Sequence, residues 1–241
     1  LNDDGMHVGG LVGFLKSLRF TIDKLKPSRC IIVFDGKGGS KRRRKTYSGY
    51  KQNRKVKSKL NRHVDWSTSP ADEYESMKMQ MGRLVEYLEQ LPLTIISVDN
   101  IEADDVIGYL AKQLLKTSKI LIMSTDKDFL QLTNKRIKIW SPTKKKLYDE
   151  QSVLDEYGIH SSKFLLYRVL DGDKSDNIDG IKGAGIKSII KYIEPLTKED
   201  KFDLDDLIQY CEKSDKKIKL LENIKNSHNI LYRNFLLMQL E

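Results

Sequence analysis

Apolar residues at Leu11, Phe14, Leu15, Leu18, Ile22 and Leu25 recur every three or four positions, a spacing that predicts a helix across 11–25 with one buried face. The apolar run 30–34 is too short and too β-branched to continue as a helix and predicts a buried strand that ends at Asp35. Ser69 ahead of Pro70 and Asp72 marks a helix start, and Tyr74, Met77, Met81, Leu84, Val85 and Leu88 form its stripe, read as core. Further strands are expected at 93–98, 120–123 and 137–140, with a helix carrying Val106, Ile107, Leu110 and Leu114 between the first two. Strands alternating with helices predict an α/β fold, a central and mainly parallel sheet flanked by helices. After residue 150 the strand signals stop, and 164–170, 186–193, 204–211 and 218–224 all carry helical periodicity. The expected organisation is an α/β core over 1–150 and a helical subdomain over 151–241, with no repeat at a fixed period.

A length of 241 residues suffices for a sizeable core. No apolar run approaches the roughly 18 residues of a membrane span, and the first ten residues hold Asp3 and Asp4 instead of a basic start, so neither insertion nor secretion is expected. The two cysteines, Cys30 and Cys211, give neither a disulfide framework nor a zinc ligand set, which suits a reducing cytoplasm. Lys and Arg number 43 against 34 acids, a net charge of +9. Its distribution matters more: residues 36–64 hold twelve Lys and Arg and no acid, which leaves the rest of the chain at −3. An acidic body carrying one basic segment points to a polyanion, the plainer alternative being a disordered basic loop or localisation signal. Tyr47 and Tyr50 lie inside the run, where rings can stack on unpaired bases, and this favours nucleic acid.

The acids fall at strand ends. Asp35 closes the first run, Glu102, Asp104 and Asp105 follow the second, and Asp126 and Asp128 follow the third. A parallel sheet opens such ends on one edge, where these folds place their sites. First-turn acids that complement a helix dipole would account for 102–105, and a turn for 126–128. Three strand ends delivering carboxylates to one edge ask for a cation, because crowded carboxylates raise one another's pKa. Oxygen donors without nearby Cys or His suit Mg²⁺ or Mn²⁺ over zinc, and His7, His63, His160 and His228 show no ligand spacing. A further acidic group, Asp171, Asp173 and Asp176, precedes a turn with Gly180, Gly183 and Gly185 flanked by Lys182 and Lys187. Such a turn lets backbone N–H groups approach a phosphate, although a bare glycine turn between packed helices has the same composition.

The segments Val33-Phe34-Asp35, Tyr50-Lys51-Gln52-Asn53-Arg54, Glu102-Ala103-Asp104-Asp105, Ser124 to Phe129, Gly172 to Asn177 and the glycine turn to Lys187 stand in one order across most of the chain. In that order they resemble the structure-specific 5′-nucleases, a family that includes flap endonucleases, the nuclease domain of bacterial DNA polymerase I and the bacteriophage 5′-exonucleases and ribonuclease H. The resemblance implies a PIN-like core with a basic helical arch over 36–70 and a helix–hairpin–helix (H3TH) motif in the C-terminal subdomain. It implies that Asp35, Glu102, Asp104, Asp126 and Asp128, assisted by Asp105, hold one or both of two metal ions, with Asp173 and Asp176 completing the ligand set of the second ion. Lys51 and Arg54 would stand at the foot of the arch beside the scissile phosphate, and Tyr50 would stack on a base of the cut strand. Arg42, Arg43, Arg44 and Tyr47 would contact the nucleic acid from the arch. Gly180, Lys182, Gly183, Gly185 and Lys187 would hold the duplex, with a K⁺ on the hairpin's carbonyls.

The activity so implied is a divalent-metal-dependent 5′-3′ exonuclease or flap endonuclease in DNA replication or repair. Its partners would be DNA with 5′ flaps, nicks or junctions, or an RNA–DNA hybrid in primer removal, met by a monomer in the cytoplasm of a bacterium or phage-infected host. Two other classes compete: a module that binds branched DNA without cutting it, and a phosphotransfer or phosphatase fold, which leaves the basic segment and glycine turn unexplained. The family pattern opens with a strand ending in Asp. The helix 11–25 reads as a crossover whose earlier strand lies upstream, so the natural polypeptide is expected to extend before Leu1 by roughly 10 to 40 residues carrying that ligand.

Overall fold

The computed structural model describes residues 7–54, 70–198 and 200–240. In chain order its main elements are α1 (Gly9–Leu25), β1 (Ile31–Asp35), α2 (Lys41–Thr46), α3 (Pro70–Glu89), β2 (Thr94–Val98), α4 (Ala103–Tyr109), β3 (Ile120–Met123), β4 (Ile137–Ser141), β5 (Lys146–Tyr148), α5 (Glu150–Tyr157), α6 (Phe164–Asp171), β6 (Gly172–Asp173), β7 (Ile178–Asp179), α7 (Ile186–Tyr192), α8 (Leu204–Glu212), α9 (Lys219–Lys225) and α10 (His228–Met238). Helix α4 runs on as a π-helical turn, Leu110–Leu114, in which the Leu115 N–H donates to Leu110 O at 2.9 Å.

By packing, Leu1–Phe34 and Lys55–Ser97 form one unit, and Asp35–Arg54 with Val98–Glu241 form another. In the first, Leu11 and Leu18 of α1 meet Ile32 of β1 and Leu84 and Leu88 of α3 in a small core. The Gln80 side chain accepts from the N–H groups of Gly10 and Leu11 at 3.0 and 3.2 Å, which satisfies two donors at the open end of α1. The stripe read as core on α3 is buried only at its far end, because Tyr74, Met77 and Met81 are exposed. Helical spacing identifies the apolar face; how far along it the partner surface extends is a tertiary matter.

The second unit holds the larger core. Strands β3 and β4 pair in parallel, Ile120 opposite Ile137 and Ile122 opposite Ile139, and β5 adds antiparallel with Tyr148 opposite Ile139. Alternation buries Ile137, Ile139 and Ser141 on one face of β4. Ile137 and Ile139 belong to one continuous core with Val153, Phe164, Leu170, Ile189 and Leu207 from the helical region. The boundary expected at residue 150 therefore does not coincide with a break in packing. The sheet is also smaller than expected: β1 and β2 form one ladder, β3–β4–β5 a second, and β6–β7 a third inside the region read as purely helical. Both β5 and the β6–β7 hairpin have three residues or fewer per strand, too few for any periodicity to register.

The hairpin exists because two glycines cross. A Cβ on Gly172, whose φ is +75°, would lie 2.3 Å from Gly180 N, and one on Gly180 would lie 2.2 Å from Asp171 O. Backbone approach this close admits no side chain, and it fixes where Asp173 leaves the sheet.

Candidate active site

Two acidic groups and one basic turn make up the site, all within the second unit. The first group gathers at the start of α4. Glu102 is its N-cap residue, Asp104 and Asp105 lie in its first turn, and Asp35 at the end of β1 accepts from Ala103 N at 2.8 Å. Acids here are favoured by the unpaired N–H groups of the helix end. Into the group projects Arg43 from α2, with only 3% of its side chain exposed. Its guanidinium grips Asp105 through two bonds of 2.8 Å, touches Glu102, and lies 3.4 Å from Asp104, while its Nε donates to Leu237 O at 2.7 Å. Burial opposes the charged guanidinium, yet Asp104, Asp105 and Glu102 outweigh it and hold Arg43 above the ordinary arginine value. Burial also works against ionised Glu102, but bonds from Lys51, Arg43 and Tyr50 win and lower its pKa. Asp104 goes the other way: burial first, then Asp105 and Glu102, push it up to about 6 against the pull of Arg43.

The second group follows β3. Ser124 Oγ accepts from Asp126 N at 3.1 Å, and Asp126 in turn accepts from Asp128 N at 2.8 Å, capping the 3₁₀ turn Lys127–Leu132. Arg168, 1% exposed in an otherwise apolar stretch of α6, bridges this turn to the β6 loop. It donates to Asp128 at 2.5 Å, to Asp173 at 2.6 Å and to Gly172 O at 3.0 Å. Burial, with Asp126 and Asp173 adding to it, still pushes Asp128 up to about 6 despite Arg168. Asp173 is lowered: the Ser175 hydroxyl and N–H together with Arg168 overcome its burial.

The basic turn 47–54 lies on the acid loop. Lys51 Nζ reaches Glu102 at 2.5 Å and stands 4.0 Å from Asp176, and Arg54 pairs with Asp176 directly. Tyr50 does not stand ready for a base. It is 2% exposed and donates from its hydroxyl to Glu102 at 2.9 Å, so burial and Glu102 raise its pKa. Arg43 likewise is no surface contact but an internal counter-charge, whereas Arg42 and Arg44 are exposed, Arg42 lying 3.0 Å from Asp105. Tyr47 is half-buried beneath the Arg233 guanidinium, 4.5 Å from its ring centroid. Residues 55–69 of the expected arch lie outside the described residues.

In the glycine turn, Lys182 and Lys187 are exposed. Gly183 has φ +89° with nothing near an added Cβ, and Gly185, the N-cap of α7, has φ −70° and equally open surroundings. Only the first is a requirement of the backbone itself. Gly183→Ala is expected to lower stability by about 1 kcal/mol, and Gly185→Ala to leave it unchanged, in thermal denaturation. A fall in duplex affinity on Gly185→Ala would then report on the ligand, not on the fold.

The sequence leads one to expect a single cleft of carboxylates, whereas the structure shows two groups, each built around a buried arginine. Arg168, a lone cation in an apolar helix and so legible as a buried partner for charge, is absent from that expectation. Among the described residues, no three carboxylate, imidazole or thiolate groups are disposed as a ready cage for a metal ion. The donor set nevertheless fits a hard divalent cation in kind, because every candidate donor is a carboxylate oxygen.

The fold is that of an α/β protein of the PIN-like class. Residues 1–158 match the model of the 5′-3′ exonuclease, N-terminal resolvase-like domain, and the chain belongs to that family. It is 31% identical over 191 residues to a 5′-3′ exonuclease of Aquifex aeolicus, spanning 79% of this chain and 60% of that protein. A 5′-3′ exonuclease of Buchnera aphidicola is 33% identical over 190 residues, 78% of this chain and 61% of its own. The chain thus spans about three-fifths of the length of these relatives. The crystal structure of the bacteriophage T5 flap endonuclease, in a pseudo-enzyme-product complex with DNA and metal ions, superposes with a TM-score of 0.78 at 20% identity, over 95% of this chain and 80% of that one. That likeness establishes the fold. No helix among the described residues is long and apolar enough to cross a membrane.

Proposed function

We propose that this chain carries the catalytic part of a structure-specific 5′-nuclease, a 5′-3′ exonuclease or flap endonuclease that hydrolyses phosphodiesters where duplex meets single strand. The observation that carries this reading is the meeting of Lys51 and Arg54 with acids from two distant segments, Glu102 at the start of α4 and Asp176 in the β6–β7 loop. Asp35, Glu102, Asp104, Asp105, Asp126, Asp128, Asp173 and Asp176 supply the oxygens for two ions of Mg²⁺ or Mn²⁺. Such ions, when bound, activate water and neutralise charge on the phosphate. The chain's own residues do the rest. Lys51 and Arg54 bring positive charge to the phosphate, where the transition state is more negative than the substrate. Exposed Arg42 and Arg44 attract any phosphate backbone without reading sequence. The H3TH turn, Gly180 to Lys187, would hold the duplex arm, so selectivity comes from junction shape. The expected partner is DNA with 5′ flaps, nicks or junctions, or an RNA–DNA hybrid, bound by a monomer in the cytoplasm.

One observation favours a second reading, a non-catalytic module for branched DNA: guanidinium groups, not a common ligand point, hold the carboxylates. The natural polypeptide, incubated with a 5′-labelled flap duplex and Mg²⁺, decides between them. Cleavage near the junction that EDTA abolishes, with duplex binding retained in EDTA, is the expected result. Tight binding without cleavage in either Mg²⁺ or Mn²⁺ would establish the module instead.

A further inference from the structure

We infer that Asn177 is a positioning residue for Lys51, assisted by Asn53, and that it does so by clamping the basic turn onto the acid loop; this rests on the nuclease reading of the site. Lys51 has φ +57°, a left-handed conformation that costs a residue with a Cβ about 1–2 kcal/mol and persists only when its surroundings enforce it. Three bonds of 2.8 Å do so. Lys51 N–H donates to Asp176 O, the Asn177 amide donates to Gly49 O two residues before Lys51, and the Asn53 amide donates to Lys174 O two residues after it. The clamp thus brackets Lys51 on both sides. Asn177 is itself left-handed at φ +61°, a conformation asparagine tolerates better than other residues with a side chain. Its amide is part-buried, whereas that of Asn53 is exposed, so Asn177 carries more of the load.

The consequence is geometric. Lys51 Nζ lies 2.5 Å from Glu102 and 4.8 Å from the Tyr50 ring centroid only because its backbone is held in this conformation. Released, the turn relaxes toward a right-handed or extended conformation and carries the ammonium away from Glu102. Displacement of a charged group by about 1 Å is enough to cost on the order of 100-fold in rate.

Asn177→Gly tests this best, because glycine keeps the left-handed backbone and deletes only the amide. In the natural polypeptide we expect a 10- to 100-fold fall in the single-turnover cleavage rate, with junction affinity within twofold and an almost unchanged melting temperature. In a Lys51→Ala background the same substitution should add less than threefold, since the group it positions is gone. Faster amide hydrogen exchange at Lys51 is the readout that does not depend on turnover. An unchanged rate in Asn177→Gly, or losses that multiply fully in the double variant, would overturn the inference. If the wild type binds junctions without cutting them, the nuclease reading fails, and exchange at Lys51 alone then decides whether the clamp exists.

Discussion

Arg43→Ala is expected to lower folding stability by about 3–5 kcal/mol, because it strands the buried carboxylates of Glu102 and Asp105. The neighbouring pair shows why burial decides the size. Arg42 also lies 3.0 Å from Asp105, but its side chain is 46% exposed, and Arg42→Ala should cost about 1 kcal/mol at most. Arg43, at 3% exposure, has no solvent to replace the acids, and Glu102 and Asp105, at 7% and 9%, have little to replace Arg43. Against a total stability of about 5–15 kcal/mol the loss is about a fifth or more. Arg43→Lys should recover only part of it, because an ammonium cannot make the two parallel bonds to Asp105 or reach Leu237 O at the same time. Urea titration measures the effect. Added Mg²⁺ should restore stability to Arg43→Ala more than to the wild type, since the stranded acids then take the ion as their counter-charge. A loss below about 1 kcal/mol would show that the acids are compensated by something other than Arg43.

Asp128→Asn is expected to reduce cleavage by about a thousandfold, near 4 kcal/mol of transition-state stabilisation, with duplex binding preserved. Asparagine keeps an oxygen to accept from Arg168, so the local structure survives while the charge is lost. The ionisation of this carboxyl also sets a pH window. Asp104 and Asp128 both titrate at about 6 in the folded protein, above their ordinary value. An acid raised on folding is bound to its proton more tightly in the native state, so its contribution to stability is present at acid pH and is lost as pH rises from about 4 through about 6. A divalent ion needs the ionised form. Mg²⁺ should therefore raise the melting temperature little at pH 5 and clearly at pH 7.5, and EDTA should reverse it. Equal Mg²⁺ stabilisation at both values would remove these two acids from the metal site.

Much of this arrangement was legible in the sequence, and the remainder fails for identifiable reasons. Strand β3 occupies 120–123 as its apolar run predicts, and β1, β2 and β4 depart by no more than a residue at either end, because short β-branched runs leave few alternatives. Asp35 stands at the end of β1, and Glu102 and Asp126 follow β2 and β3, as the apolar runs predict, but they lie on two separate ladders instead of one sheet edge. Tyr50 was misread because a tyrosine among lysines and arginines has the composition of a stacking platform, and only the fold reveals that Glu102 takes its hydroxyl. The same holds for Arg43, one of three consecutive arginines in α2. Helical geometry turns Arg42 and Arg44 outward and Arg43 alone inward, a choice no charge count can make.

The bond from Arg43 to Leu237 O joins residues 194 positions apart and bears on the order of synthesis. Gln131 ties the same stretch down further, donating to Met238 O and accepting from Leu240 N. When the carboxylates at 102–105 leave the ribosome, the carbonyl that seats their counter-charge has yet to be made. Contacts of such sequence separation close late, because the loop entropy they must overcome grows with the length of chain between the partners. The nascent protein consequently passes through a stage in which its acids exist and its basic turn exists, but Arg43 has no fixed seat between them. An acid site in that state lacks defined geometry, and the seat of Arg43 is completed only with the last turn of α10.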